Sequence, residues 1–220
     1  MVDKNKNLLV IMARAPVAGK VKTRLIPAMG KKRAAITYQN LLDKITRELS
    51  PCDSYRLILS CTPDTTHPKF TSYRLNRRIG IHKQPTGHLG QRMYRIIAAG
   101  LRKHKNVIIV GSDLISPTCR QVENAFQALH TSDLVLGYTQ DGGYGLIGMK
   151  KNHSCIFRSI PWGSSKVARL TRERIQRAGL KLATFTGLID IDTPQDYRTW
   201  LRSLRQTGGN SGKTVANGTR

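Results

Sequence analysis

Leu8-Leu9-Val10-Ile11-Met12-Ala13 is an unbroken apolar run, and Arg14-Ala15-Pro16-Val17-Ala18-Gly19-Lys20-Val21-Lys22-Thr23-Arg24-Leu25 follows it directly. Six apolar residues without polar alternation suit a strand covered on both faces, as in a parallel sheet. The run is too short to span a membrane or to serve as the core of a signal peptide. In an open parallel sheet, ligands bind just beyond the carboxyl ends of the strands, so the segment behind this strand is where chemistry is expected. It combines small residues, which allow close backbone approach, with Arg14, Lys20, Lys22 and Arg24, which can neutralise phosphate oxygens. It is not a Walker loop: Gly19-Lys20 is followed by Val21, and Arg14 stands where the first glycine is required.

Outward from this stretch, short apolar runs alternate with amphipathic helical patterns. Tyr55–Cys61, Asn106–Gly111 and Asp133–Tyr138 read as further strands. Ala34, Ala35, Tyr38, Leu41, Leu42, Ile45 and Leu49 keep the three-and-four spacing of a helix face. Leu89–Leu101 and Val122–Leu129 do the same. The alternation predicts βαβ crossovers and a mostly parallel sheet, with Leu8–Ala13 and Asn106–Gly111 as interior strands. Tyr144–Met149 follows Gly142-Gly143 at once and is expected to be a small antiparallel insertion. A helix at Lys166–Ala178, a strand at Leu182–Thr186 and a helix at Pro194–Leu204 complete one domain, residues 1–205. The Gly-, Asn-, Ser- and Thr-rich stretch 206–220 is expected to be a disordered basic tail.

Composition narrows the partners. Thirty-seven Lys and Arg against 13 Asp and Glu give a formal charge of +24, a field that favours nucleotides and other phosphorylated ligands. The basic residues are dispersed, with no basic arm and no zinc-finger or RNA-recognition signature, so specific nucleic-acid binding is not expected. The four cysteines form no Cys-x-x-Cys pair and suggest reduced thiols in a cytoplasmic protein.

The scarce acids fall at expected strand ends. Asp113 follows the Asn106–Gly111 strand, where a carboxylate is placed to hold a hard cation. It is not needed for capping, since Ser116-Pro117 can start the next helix. Asp141-Gly142-Gly143-Tyr144 reads either as a simple turn or as part of a site. In Asp190-Ile191-Asp192-Thr193-Pro194-Gln195-Asp196, Thr193, Pro194 and Asp196 suit a helix cap, while Asp190 and Asp192 remain as metal candidates. Only one of these two is expected to face the site.

Taken in order, Ala15-Pro16, Gly19, Lys22-Thr23-Arg24-Leu25, Asp141-Gly142-Gly143-Tyr144, Leu146-Ile147-Gly148, Pro161-Trp162 and Asp190-Ile191-Asp192-Thr193-Pro194 resemble a bacterial family of arsenosugar-biosynthesis-type glycosyltransferases. The resemblance runs from Leu9 to Trp200. It implies a GT-A-like, Rossmann-like α/β fold of the nucleotide-diphospho-sugar transferase superfamily. It further implies nucleotide binding by Arg14, Gly19, Lys22, Arg24 and Gln84, and a donor or acceptor region at Asp141, Gly142, Gly143 and Tyr144. Mg²⁺ or Mn²⁺ would be held by Asp113 with Asp190 or Asp192. The chain departs from the family at Gly87-His88-Leu89-Gly90, where His88 replaces an acid, and at Leu114-Ile115-Ser116, which lacks a proline and an acid. Asp113 and His88 are the catalytic candidates, and Gln84, Arg92 and Met93 fit the surrounding pattern. The expected activity is metal-dependent transfer from a nucleotide-activated donor to an unknown acceptor, glycosyl transfer before nucleotidyl transfer of the guanylyltransferase kind. A catalytically impaired nucleotide-binding relative is a further reading, and non-specific nucleic-acid binding driven by charge is the last.

Overall fold

The computed structural model describes residues 6–208. Most of the expected tail, from 209 onward, lies outside the described residues. Seven strands form one sheet: β1 (Asn7–Arg14), β2 (Arg56–Thr62), β3 (Ile79–Lys83), β4 (Asn106–Gly111), β5 (Leu134–Tyr138), β6 (Tyr144–Met149) and β7 (Leu182–Phe185). Their order is β3-β2-β1-β4-β6-β5-β7. β1 pairs in parallel with both β2 and β4, so the two apolar runs singled out in the sequence are interior neighbours. β6 alone is reversed, antiparallel to both β4 and β5, while β5 and β7 run parallel. The architecture is a single α/β domain with a mostly parallel sheet and one small antiparallel insertion.

Six helices flank the sheet: α1 (Ile26–Leu49), α2 (Pro68–Tyr73), α3 (Leu89–Leu101), α4 (Cys119–Ala128), α5 (Val167–Arg177) and α6 (Pro194–Gly208). Alternate residues of the central strands feed opposite faces, as the pleat requires. Leu9, Ile11, Ile108 and Val110 join Leu42, Ile45 and Leu49 of α1 and Val122 and Phe126 of α4 in one core cluster. Leu8, Val10, Val107 and Ile109 join Met93 and Ile97 of α3 and Ile175 of α5 in the other. The continuous apolar runs reflect burial on both faces.

Besides β3 and α2, which the sequence reading lacks, three features differ from it. α1 begins at Ile26 rather than near Ala34, with a break at Gly30, whose φ of 78° suits glycine. α4 begins at Cys119 behind a Thr118–Gln121 capping box, two residues later than Ser116-Pro117 suggested. Cys52 and Cys119, with Cα atoms 6.1 Å apart, are paired as a disulfide, whereas reduced thiols were expected; their separation of 67 residues hides the pairing from the sequence. No described helix is long and apolar enough to cross a membrane.

Candidate functional site

The carboxyl ends of β1 and β4 open into a cleft of ≈ 570 Å³. The segment behind β1 forms one wall. Lys22 adopts left-handed backbone angles (φ 45°, ψ 46°) and leads into a 3-10 turn at Thr23–Leu25, whose Leu25 is buried. This turn aims the Lys22 side chain inward. Its ammonium lies 2.9 Å from Asp113 Oδ2 and 3.5 Å from Asp192 Oδ1, and the side chain is only 4% exposed. Arg24 donates to the other oxygen of Asp192 from a more exposed position. Burial opposes the charge on Lys22, but Asp113, Asp192 and Asp190 outweigh it and hold the pKa above the ordinary lysine value.

Asp113 is carried in by β4. The segment behind it pairs with the 189–191 segment through Ile115 N to Ile189 O (3.0 Å) and Ile191 N to Asp113 O (3.3 Å). Asp190 and Asp192 both line the cleft, while Ile191 between them is fully buried. The expectation that only one would face the site is corrected: residues i and i+2 of an extended segment share a face. Asp192 is held further by the cap of α6, where Asp196 accepts from the backbone N–H groups of both Asp192 (3.1 Å) and Thr193 (2.7 Å). Burial, then Asp141 and Asp113, push the Asp190 carboxyl up to about 6. Carboxylates thus gather on one rim, with a lysine between two of them.

Beneath this rim, Tyr38 of α1 ties β1 to β4. Its hydroxyl accepts from Arg14 N (2.8 Å) and shares a 2.7 Å hydrogen bond with Ser112 Oγ. On the far wall, Asp141 Oδ1 accepts from Thr139 Oγ1 (2.6 Å) and Gly143 N (3.0 Å), so the turn reading of this segment is met in full. Asp141, Gly143 and Tyr144 still line the cleft. Gly142 (φ +84°) allows close packing instead: an added Cβ would sit 2.5 Å from Ser165 O. Trp162 stacks edge-on against Tyr144 and covers Gly90, where a Cβ would meet the indole at 2.6–2.7 Å.

Like Gly142, the expected residues His88 and Gly19 lie off the cleft lining, whereas Gln84 lines it from a buried position. His88 is exposed and is not among the cleft-lining residues; its Nδ1 accepts from Gln91 N (3.4 Å) in a capping box for α3. Gly19 (φ +80°) bends the first loop beside the Lys31 side chain and does not line the cleft. Gln84 is 7% exposed, and its amide nitrogen donates to Ala13 O (3.0 Å) and Ser60 O (2.8 Å). Its carbonyl accepts from Arg92 (3.0 Å). Arg14 remains exposed on the cleft wall, with its guanidinium donating to Lys20 O (3.2 Å). Arg92, Trp162 and Tyr38 are cleft residues that the strand-end reading missed. Only Pro161-Trp162 and Arg92 left a signal, through the motifs. Among the described residues, no group of three or more His, Cys, Asp or Glu is placed to hold a metal ion, Asp113, Asp190 and Asp192 included.

Sheet order, the single reversed strand and the cleft at the carboxyl ends define a GT-A-like fold related to nucleotide-diphospho-sugar transferases. The chain belongs to the family described as uncharacterized proteins conserved in bacteria (DUF2064), whose model matches residues 45–164. It is similar to a solved protein of Desulfovibrio desulfuricans G20, provisionally named a nucleotide-diphospho-sugar transferase, with 27% identity over 94% of this chain and 89% of that one and a TM-score of 0.82. It shares the fold of 4-diphosphocytidyl-2C-methyl-D-erythritol synthase from Anaerococcus prevotii DSM 20548, at 12% identity, 93% and 98% coverage and a TM-score of 0.59. It also shares that of the inositol-1-phosphate CTP transferase of T. maritima, at 11% identity, 97% and 99% coverage and a TM-score of 0.54. No curated protein matches the sequence.

Proposed function

We propose that the protein is a divalent-metal-dependent transferase acting from a nucleotide-activated donor, with a nucleotide-diphospho-sugar as that donor and glycosyl transfer of the arsenosugar-biosynthesis type as the reaction. The carrying observation is the Lys22 ammonium shared between Asp113 and Asp192 at the rim of the central strands. The Lys22 ammonium now fills the space between the two carboxylates, so a divalent ion would bind Asp113 and Asp192 only in its place. Mg²⁺ is commonly held by one or two carboxylates together with substrate phosphates, so a full protein cage is not required. Asp113 and Asp192 would hold the ion, with Asp190 beside them. When bound, it would stabilise charge on the departing diphosphate.

The remaining work falls to the chain's own residues. Lys22, drawn away from the carboxylates, would turn its ammonium to the phosphate oxygens, joined by the exposed Arg24 and Lys20. The left-handed turn at Lys22 and the buried Leu25 keep this loop in place. Asp141, with one oxygen fixed by Thr139 and Gly143, offers the other to an acceptor hydroxyl. That hydroxyl would attack the anomeric carbon, its proton passing to a carboxylate and the donor C–O bond breaking with the electron pair on the nucleoside diphosphate.

The test is thermal-shift measurement with a panel of nucleotides and nucleotide-sugars, with and without Mn²⁺, on the natural chain and on Asp113→Asn. We expect stabilisation by nucleotide plus Mn²⁺ that exceeds either alone and disappears in a folded Asp113→Asn variant. No nucleotide-dependent shift in the natural chain would sink the proposal. Product analysis then fixes the reaction: released nucleoside diphosphate supports glycosyl transfer, and pyrophosphate supports nucleotidyl transfer. Binding without turnover would make the chain a nucleotide-binding relative.

A further inference from the structure

We propose that Cys52 and Cys119 form a reversible thiol–disulfide couple, exchanging with low-molecular-weight thiols and their disulfides, whose state sets how firmly the segment carrying Asp113 is held. The consequence for ligand binding rests on the transferase reading above; the couple itself does not.

The two sulfurs come from distant parts of the chain. Cys52 lies in the turn between α1 and β2, and Cys119 is the first residue of α4. Their Cα atoms are 6.1 Å apart, within the range that a disulfide spans without backbone movement. Cys52 belongs to the core cluster on the α1 and α4 face of the sheet, and Cys119 packs against that cluster. A thiol behaves in such a place as a small apolar group, so the pair also fits as a dithiol. The fold does not require the bond. Small domains depend on such staples because their cores are too small, whereas this chain of 220 residues fills a core on each face of a seven-stranded sheet.

The four cysteines are unequal in reach. Cys61 is fully buried and Cys155 is exposed, and neither is paired. Cys52 is 8% exposed, whereas Cys119 is half-buried. Exchange needs a sulfur that a small thiol can approach, so it falls on Cys119. The first turn of α4, where backbone N–H groups lack helical acceptors, favours a thiolate there. In the oxidising direction the Cys119 thiolate attacks one sulfur of a small disulfide and expels one small thiolate. The Cys52 thiolate then attacks the Cys119 sulfur of the mixed disulfide and expels the other. Two electrons pass from the protein dithiol to the small disulfide, which leaves as two thiols carrying the two protons. Reduction retraces these steps.

The bond anchors the segment that joins β4 to α4. On one side this segment pairs with 189–191, through Ile115 N to Ile189 O and Ile191 N to Asp113 O. On the other, Lys44 of α1 donates to Ile115 O (2.7 Å). The disulfide adds a covalent tie from the start of α4 to the turn behind α1. Ser54 in that turn also donates to Glu123 of α4 (2.7 Å), so reduction loosens α4 without releasing it.

The full chain is equilibrated over a range of ratios of reduced to oxidised glutathione, denatured in iodoacetamide and digested for mass spectrometry. We expect Cys52 and Cys119 to change together, both alkylated at reducing ratios and neither at oxidising ones, with Cys61 alkylated throughout. Cys52→Ser should retain one glutathione on Cys119 at oxidising ratios. The oxidised chain should melt several degrees above the reduced one, a gap that closes in Cys52→Ser and Cys119→Ser and persists in Cys155→Ser. Amide exchange at Leu114–Ser116 should be slower in the oxidised chain. Thiols at every ratio overturn the couple, as does a bond that excess dithiothreitol leaves intact in the folded chain. Equal exchange at Leu114–Ser116 in the two states overturns the hold on the Asp113 segment. Should a serine variant fail to fold, the natural chain in its two states still decides both points. Nucleotide with Mn²⁺ should bind the oxidised chain a few-fold more tightly, and equal affinity overturns that consequence. If no nucleotide binds either state, the transferase reading fails, while the couple is judged by trapping and exchange.

Discussion

Replacing Lys22 with Ala would leave Asp113, Asp190 and Asp192 facing one another without their shared counter-charge. The lysine is buried but its partners are partly solvated, so the loss should be about 1–2 kcal/mol, well under that of a fully buried pair. Urea denaturation in metal-free buffer measures it, and Mn²⁺ should recover part of the loss by occupying the same place. Unchanged stability, or no recovery, would count against a shared cation site. Asp190 gives a pH test. Its folded pKa of about 6 lies above the ordinary carboxyl value of 3.8, so the folded state binds the proton more tightly. By linkage, its contribution is fully present below about pH 4 and is lost as pH rises through about 6. Asp190→Asn should flatten that slope in metal-free denaturation curves. The aspartates were legible in the sequence because so few acids are present and they follow apolar runs. The clamp of Gln84 on Arg92 was not, because it depends on which carbonyls the sheet sets beside residue 84.

Elements with long apolar periodicity were read nearly to their ends: β4, β6 and α3 match residue for residue. β3 and α2 were missed for physical reasons. Ile79-Gly80-Ile81-His82-Lys83 is short, edge-placed and half polar, and α2 has six residues, too few to show a helical period. The break at Gly30 hid the first turn of α1, since the chain resumes there at a new angle. Packing between elements supplies a further prediction. Gly90 opens α3 against the Trp162 indole, so Gly90→Ala must push the ring aside despite alanine's better helix propensity. We expect a net loss of about 1–3 kcal/mol, typical of overpacking, and an altered tryptophan emission spectrum. An unchanged spectrum with higher stability would show that the indole yields freely.

At the scale of the molecule, stability should decline from the middle of the sheet outward. β1 and β4 are buried on both faces and paired on both sides, whereas β3 and β7 are edges. Amide hydrogen exchange should therefore be slowest at Leu9–Ile11 and Ile108–Val110 and fastest among the strands at Leu182–Phe185. Faster exchange in β1 than in β7 would contradict the layered core. The net charge of +24 surrounds a cleft that concentrates acids at one rim, so the general field and the local site have opposite signs. The reversed strand β6 has its own consequence. Because it runs against its neighbours, the hairpin tip at Thr139–Gly143 stands on the same edge as the loops behind β1 and β4. Every other connection to that edge leads into a helix whose length the core dictates. The tip does not, so residues can be inserted there to reshape the mouth for a bulkier guest, leaving the registers of the sheet and its crossovers as they are. It is the place at which a new specificity could be grafted onto this scaffold.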